Sequence, residues 1–198
     1  MQHEPEGGDI RRAFFRSAYL LGAPWDIGRP QRAFVELWEA GEISGEVLDV
    51  GCGLAENALF LAAQGLRVCG VDMVEPAISR ARDAASARGL NAEFHVGNAL
   101  ILASLGQQFD TIIDSALLHV FEPGDRPVFA ASLASVLRPG GRYHALYFRE
   151  GPRAISPEAL RAAFGEGWRF QSLREAHYEE TDPNGAPAWL ATFERVAA

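Results

Sequence analysis

The chain has 198 residues, of which 48% are hydrophobic and 22% are charged. This balance is typical of a globular protein and not of a disordered chain. The formal net charge is -8, with 18 Lys and Arg against 26 Asp and Glu, and an acidic protein repels the phosphate backbone of a nucleic acid. The length suits one hydrophobic core. We therefore expect a single domain over 1–198, with a helical lid in 1–40, a core in 46–198 and a small-molecule ligand.

The sequence carries no signal for a membrane or a metal. No stretch approaches the roughly 18 apolar residues of a membrane span, and the N-terminus lacks the pattern of a signal peptide. Cys52 and Cys69 lie in strand-like segments without metal-ligand spacing, which indicates reduced, buried thiols. We expect a cytoplasmic protein that binds neither a membrane nor a metal, either a monomer or a weak homodimer.

The N-terminal part predicts two helices joined by a stiff loop. Apolar residues recur at helical spacing over 10–21, and a second helical pattern over 31–40 is stopped by Gly41. The sequence P-W-D-I-G-R-P over 24–30 forms the loop between them, and a proline bounds it at each end.

From residue 47 onward, strand-like and helical patterns alternate. This alternation predicts a parallel sheet with right-handed crossovers and helices on both faces. The predicted strands are 47–50, 67–71, 92–96, 109–114 and 142–148. The predicted helical segments are 56–64, 75–88, 100–105, 126–137 and 156–164. The last two strand patterns, 168–177 and 189–196, predict a closing hairpin.

The first predicted strand runs into a glycine-containing loop, V-L-D-V-G-C-G, over 47–53. Gly51 and Gly53 allow the backbone to approach a ligand where a Cβ atom would clash. The third glycine of the dinucleotide fingerprint is replaced by Glu56, whose carboxylate would oppose a pyrophosphate at the helix N-terminus. The loop therefore disfavours a nicotinamide dinucleotide.

Acidic residues lie near the ends of the first two strands. Asp49 needs a cationic or hydrogen-bonding partner if it is buried, such as the amino group of a methionine moiety, unless it only ties down the loop. Asp72 lies 21 residues after Gly51, at the spacing where an acid accepts hydrogen bonds from ribose hydroxyls. The alternative for Asp72 is a cap on the following helix.

Five short motifs follow one another along the chain: V-L-D-V-G-C-G, V-D-M over 71–73, G-N-A over 97–99, F-D-T-I-I-D over 109–114 and L-R-P-G-G over 137–141. In this order they resemble the motif series of class I S-adenosylmethionine-dependent methyltransferases. P-W-D-I-G-R-P and F-E-P-G-D-R-P over 121–127 are further similar to the thiopurine, thiol and halide methyltransferase branch and its bacterial relatives. The resemblance covers residue 23 to the C-terminus. It implies a Rossmann-like, seven-stranded, mostly parallel sheet whose last strand is antiparallel, and S-adenosylmethionine as the cofactor.

The resemblance also implies roles for individual residues. Gly51 and Gly53 would flank the methionine part, Asp72 would hold the ribose, and Asn98 with Ala99 would contact adenine. The chain departs from the pattern at Ala55, where many relatives have Gly, and at Asn98, where Asp is more usual. An Asn carbonyl still accepts a hydrogen bond from the adenine amino group. The predicted cofactor-binding residues are Trp25, Asp49, Gly51, Gly53, Asp72, Met73, Asn98, Ala99 and Asp114.

Methyl transfer from a sulfonium depends mainly on alignment and exclusion of water. A hydroxyl or ring nitrogen acceptor that must lose a proton benefits from a nearby base. His119 follows the fourth strand and has an unperturbed pKa near neutrality, so we predict it as that base, the alternative being a packed or cofactor-orienting histidine. Phe15, Tyr19 and Arg149 are the predicted substrate-binding residues, and the two aromatic ones would join Trp25 in a lid.

The predicted function is methyl transfer to a phenol or quinol oxygen or to a heteroaromatic nitrogen of a small molecule. A thiol, halide or metalloid acceptor is the first alternative. A cofactor-binding protein without transferase activity is a second, and a nicotinamide-dependent reductase is disfavoured by Glu56 and Asp49.

Overall fold

A computed structural model of the chain describes residues 8–197. The predicted lid therefore lies within the described part only from residue 8 onward. In this part, no helix has both the length and the apolar character needed to cross a membrane.

Two helices precede the sheet, close to where they were predicted. Helix α1 is Gly8–Leu21 and helix α2 is Arg32–Glu39. Helix α2 buries Phe34 and Leu37, because its apolar residues recur at helical spacing.

Within residues 8–197 the chain forms one seven-stranded sheet, in the order β3-β2-β1-β4-β5-β7-β6. The strands are β1 (Glu46–Val50), β2 (Arg67–Asp72), β3 (Ala92–Val96), β4 (Phe109–Ser115), β5 (Leu137–Phe148), β6 (Trp168–Tyr178) and β7 (Ala186–Arg195). Strands β1 to β5 pair in parallel, whereas β7 is antiparallel to both of its neighbours, β5 and β6. The predicted Rossmann-like architecture with an antiparallel last strand is confirmed.

Helices pack on both faces of this sheet, as predicted. They are α3 (Glu56–Ala63), α4 (Glu75–Ala87), α5 (Arg126–Val136) and α6 (Pro157–Ala163). Short 3₁₀ segments, Ala99–Leu105 and Leu118–Val120, follow β3 and β4. Among the described residues, one apolar cluster joins the sheet to α5 and α6, and another joins it to α2, α3 and α4. The central strands β1, β2 and β4 are thus buried on both sides, which suits their nearly continuous apolar sequences.

Strand β5 begins earlier than the sequence predicts. It was expected from residue 142, but it pairs with β4 from Leu137 onward, and the register shifts between Phe109 and Thr111. The Pro-Gly-Gly sequence at 139–141 therefore forms a bulge within the strand and not a turn before it.

Candidate active site

A cavity of about 350 Å³ opens where β1, β2 and β4 end. Its lining residues come from α1 and the loop after it, from the segments that follow β1 to β5, and from the end of β6. The strand order reverses between β1 and β4, and open α/β sheets bind ligands at such a point. The fold therefore places the predicted motifs around one site.

The glycine loop after β1 is held in a left-handed backbone conformation. Gly51 and Gly53 have φ values of 72° and 55°, and the amide of Gly51 donates to the Val71 carbonyl over 2.7 Å. A Cβ atom on Gly53 would lie 2.6 Å from the Tyr19 hydroxyl oxygen. The positive φ therefore favours glycine at position 53, and a Cβ atom there would require the Tyr19 side chain to shift. Ala55 also has a positive φ, 69°. It therefore adopts, despite its Cβ atom, a conformation that costs glycine less.

Asp72 ends β2 on the cavity wall and organises the loops beside it. Its carboxylate accepts hydrogen bonds from the amide of Gly53 at 3.0 Å and from the amide of Val74 at 2.9 Å. Burial raises the pKa of Asp72, and the backbone hydrogen bonds oppose that rise. Each carboxylate oxygen keeps a lone pair for a further donor. Asp72 thus braces the start of α4, the alternative considered above, and also faces the cavity.

Asp49 lies in β1 behind the cavity wall. It is buried, and neither carboxylate oxygen has a hydrogen-bond partner in the described part of the chain. Burial and the neighbouring Asp114 raise the pKa of Asp49 to about 8, and the nearby amide of Ala58 opposes that rise. Asp49 is not among the residues that line the cavity, and its contact with the cofactor stays a prediction.

Asp114 is buried near the end of β4. The hydroxyl of Tyr143 donates to its carboxylate at 2.7 Å, as do the amides of Leu117 at 2.7 Å and of Leu118 at 3.1 Å. Burial raises the pKa of Asp114 to about 7. Asp114 does not line the cavity. Its carboxylate holds the turn after β4, a role that the sequence did not indicate, and its contact with the cofactor stays a prediction.

The residues predicted beside adenine, Asn98 and Ala99, lie on the cavity wall. Met73, another predicted cofactor-binding residue, also lines it. The side-chain oxygen of Asn98 accepts from the amide of Leu100 at 2.9 Å and so begins the 3₁₀ segment. One lone pair of that oxygen is left for an adenine amino group.

Aromatic residues of the predicted lid pack together over the cavity. The Trp25 ring lies 5.8 Å from the Phe15 ring and 6.0 Å from the Tyr19 ring, in edge-to-face arrangements, and all three line the cavity. Burial raises the pKa of the Tyr19 hydroxyl well above its usual value, which keeps it protonated.

A hydrogen-bonded clasp, formed by Gln31 and Glu179, fixes the loop over 24–30 to the end of β6. The Gln31 amide nitrogen donates to the Glu179 carbonyl at 2.8 Å, and the Glu179 amide donates to the Gln31 side-chain oxygen at 2.9 Å. The Glu179 carboxylate pairs with Arg29 at 2.8 Å. The backbone N–H of Gln31 donates to the side-chain oxygen of Asn57 at 2.8 Å. The sequence analysis missed this clasp, because its two residues are 148 positions apart and neither belongs to a motif.

His119 lies on the cavity wall, and its chemical state differs from the expectation. Its ring stacks on Phe148 with centroids 4.4 Å apart, and its buried Nδ1 has no hydrogen-bond partner among residues 8–197. Burial lowers the pKa of His119 to about 4, and the charges of Arg153 and Arg126 add to this effect. The imidazole is therefore neutral throughout the physiological pH range and is a weaker base than the sequence suggests.

Arg149 does not reach the cavity, in contrast to its predicted contact with the substrate. Its guanidinium pairs with Glu175 at 2.9 Å and with Glu150 at 3.3 Å, and it lies 5.4 Å from the centre of the Trp189 ring. The side chain is directed along the β6–β7 surface, where these partners hold it. Arg153, four residues later, lines the cavity in its place.

Apolar residues at the ends of β5 and β6 also line the wall, and the sequence did not indicate them. They are Phe148 and Tyr178. Their sequence pattern matches that of core residues, so only the fold shows that they face a cavity.

The strand order, the left-handed glycine loop after β1 and the acid at the end of β2 together define a nucleotide-binding α/β fold of the class I methyltransferase type. Comparison with known proteins agrees: a family model described as "Methyltransferase domain" matches residues 47–141.

Relatives place the chain more closely. A 2-heptyl-1-hydroxyquinolin-4(1H)-one methyltransferase from Mycobacteroides abscessus is 35% identical over 162 residues, which are 77% of this chain and 71% of that protein. Probable thiol methyltransferase 2 from Arabidopsis thaliana is 30% identical over 68% of this chain and 60% of its own length. A structure solved for "Conversion of a Disulfide Bond into a Thioacetal Group during Echinomycin Biosynthesis" superposes with a TM-score of 0.85 at 36% identity, over 96% of this chain and 92% of that one. The chain belongs to the class I S-adenosylmethionine-dependent methyltransferases, and the predicted class and cofactor are confirmed.

The cavity fits this cofactor. The glycine loop leaves room where a Cβ atom would collide with Tyr19. The carboxylate of Asp72 offers free lone pairs to vicinal hydroxyls, and Asn98 offers an amide to a base.

Proposed function

We propose that the chain methylates a planar aromatic small molecule on a hydroxyl oxygen or a ring nitrogen. The observation that carries this proposal is the composition of the wall around His119. Phe15, Trp25, Phe148 and Tyr178 line the cavity together with this buried imidazole. Aromatic walls favour a flat apolar ring, and a single polar group among them orients it.

We further propose that Gly51, Gly53 and Asp72 hold the cofactor, with Met73, Asn98 and Ala99 beside its base. Bound S-adenosylmethionine supplies an electrophilic methyl group on a sulfonium ion. The chain contributes alignment and exclusion of water. The rings of Trp25 and Tyr19 close the site from solvent, and their faces attract a cation.

The relative from Mycobacteroides abscessus supports this acceptor class, because its named substrate is a hydroxylated aromatic heterocycle. The net charge of -8 supports a small molecule over a nucleic acid. A thiol is the second candidate. The low pKa of His119 favours it, since a thiolate needs no base, and the plant relative is named as a probable thiol methyltransferase.

A matched set of acceptors tests the proposal. Transfer of a labelled methyl group is measured with 1-hydroxyquinolin-4-one, 2-naphthol, 2-naphthalenethiol and iodide. We expect kcat/KM for the better hydroxyl compound to exceed that for the thiol by at least about tenfold, or about 1.4 kcal/mol in transition-state stabilisation. A thiol or iodide that reacts faster than both hydroxyl compounds would contradict the proposal.

The role of His119 is tested in the same assay. We expect His119→Ala to lower kcat by about tenfold or more without changing the dissociation constant of S-adenosylhomocysteine, because the imidazole orients the acceptor. The exposed His177 provides the matched control, His177→Ala. Since the pKa of His119 is about 4, the wild-type profile between pH 5 and 8 should show no inflection from this residue. Full activity of His119→Ala on the best acceptor would remove His119 from the mechanism.

A further inference from the structure

The wall around His119 carries an arginine that no carboxylate neutralises. Arg153 lies in the loop between β5 and α6 and lines the cavity. Within residues 8–197 it makes no hydrogen bond or ion pair with a side chain or backbone group. By contrast, Arg149 in the same loop is paired with two carboxylates, and Arg29 on the same wall is paired with Glu179. Arg153 is thus a cation at the cavity without a partner in the described part of the chain.

The histidine beside it experiences this positive potential. The ring of His119 is buried and stacked on Phe148. The charges of Arg153, from the loop after β5, and of Arg126, from the start of α5, both lower its pKa. A potential that disfavours an imidazolium cation stabilises an anion at the same place. Burial is the larger cause of the low pKa of His119 and disfavours an anion as well, so only the charges of Arg153 and Arg126 favour an acceptor oxyanion at this place.

Acidic groups of the same wall do not cancel this potential at His119. Asp26, Glu56 and Glu180 also line the cavity, and Glu56 is paired with Arg88 at 2.8 Å. The charges that act on the pKa of His119 are those of Arg153 and Arg126, and both lower it. Tyr178, the other titratable group near Phe148, is kept protonated because burial raises its pKa.

We propose that the acceptor binds as an oxyanion, held by the guanidinium of Arg153 and a ring N–H of neutral His119. This inference rests on the proposed function and narrows its substrate class to planar aromatics with an acidic hydroxyl, such as N-hydroxy heterocycles and phenols with electron-withdrawing groups. Arg153 becomes a specificity-determining residue, and His119 a hydrogen-bond donor in place of a base.

The transfer balances without a proton acceptor in the protein. The hydroxyl proton leaves to solvent before the reaction. A lone pair of the oxyanion then forms the new C–O bond, while the C–S bond breaks and its electron pair stays on sulfur as a neutral thioether. The acceptor loses its negative charge and the sulfonium loses its positive charge, so both charges are neutralised within a partly enclosed, apolar site.

The acidity of a bound phenol tests this proposal directly. The probe is 4-nitrophenol, whose phenol and phenolate forms absorb at different wavelengths, bound to the full chain saturated with S-adenosylhomocysteine. Its pKa is read from the absorbance as the pH is varied. We expect the pKa of the bound probe to lie at least about one pH unit below that of free 4-nitrophenol, as is usual beside an unpaired opposite charge. Arg153→Gln should remove most of this shift, and Arg169→Gln, at an exposed arginine paired with Glu194 on β7, should keep it.

Two outcomes would overturn the proposal: a bound pKa equal to or above that of the free probe, or a shift that Arg153→Gln leaves intact. Failure of the phenolate to bind at all counts against it as well, since the proposed site accepts any small planar aryl oxyanion. The acceptor screen keeps the two proposals apart. Methylation of hydroxyl compounds without acidification of the probe would leave the proposed function standing and refute the oxyanion site. Acidification without hydroxyl methylation would refute the proposed function alone.

Discussion

Replacement of Asp72 by alanine separates its support of the loops from its proposed contact with the cofactor. The carboxylate accepts from the amides of Gly53 and Val74 and lies on the cavity wall. Loss of hydrogen bonds between ribose hydroxyls and a charged acceptor costs about 1.5 to 3 kcal/mol, so the dissociation constant of S-adenosylhomocysteine should rise about 10- to 150-fold. Each amide left without an acceptor lowers the free energy of unfolding by about 1 to 3 kcal/mol. Removal of a buried carboxylate with a raised pKa offsets part of that loss.

Isothermal titration calorimetry gives the affinity, and urea unfolding gives the stability of the same variant. Asp83→Ala, at an exposed position of α4, is the matched control and should change neither quantity measurably. A folded Asp72→Ala protein with the wild-type dissociation constant would show that Asp72 only braces the loops, and would refute its assignment to the ribose.

Three further predictions follow from the same geometry. Gly53→Ala and Gly89→Ala both place a Cβ atom on a residue with positive φ, but only at position 53 does that atom meet another one. We expect both variants to lose about 1 to 2 kcal/mol of stability, and only Gly53→Ala to lose cofactor affinity in calorimetry. Equal cofactor affinities of the two variants would contradict the loop geometry. Gln31→Ala breaks the clasp and should raise the KM of the acceptor more than the dissociation constant of the cofactor. The control Gln64→Ala, at an exposed residue after α3, should leave both quantities unchanged. If Gln31→Ala only lowered the overall stability, the clasp would not be a positioning device. Burial raises the folded-state pKa of Asp49 to about 8, above its unfolded value of about 3.9, so its burial becomes increasingly unfavourable as the pH rises between these values. The melting temperature of Asp49→Asn should therefore rise relative to that of the wild type from pH 4 to pH 8. A constant difference in melting temperature across that range would show that the pKa of Asp49 is not raised.

The elements of the fold were predictable because their signals are local. The alternation of strand and helix patterns after residue 47 identifies a parallel sheet from short stretches of sequence alone. The insertion of β7 between β5 and β6 is a long-range pairing that no local pattern encodes, and the resemblance implied only that the last strand is antiparallel. The early start of β5 was missed, because the Pro-Gly-Gly sequence is typical of a turn but is accommodated here as a bulge.

The cofactor side of the site was better predicted than the acceptor side. Gly51, Gly53 and Asp72 belong to motifs whose backbone geometry places them at strand ends, so their positions follow from the fold. Arg149 was misplaced, because its side-chain direction depends on Glu175, a partner on a strand that comes later in the chain. The strength of His119 as a base was overestimated, because burial and neighbouring charges are properties of the folded chain and not of its sequence pattern.

A crystal structure of the chain with S-adenosylhomocysteine and an aryl hydroxyl compound would show both proposed binding sites at once. We expect the ribose hydroxyls within hydrogen-bonding distance of the Asp72 carboxylate. We also expect the acceptor ring against Phe148, with the acceptor oxygen directed at His119 and Arg153. A nucleoside bound away from Asp72, or an acceptor bound outside the aromatic wall, would contradict these expectations.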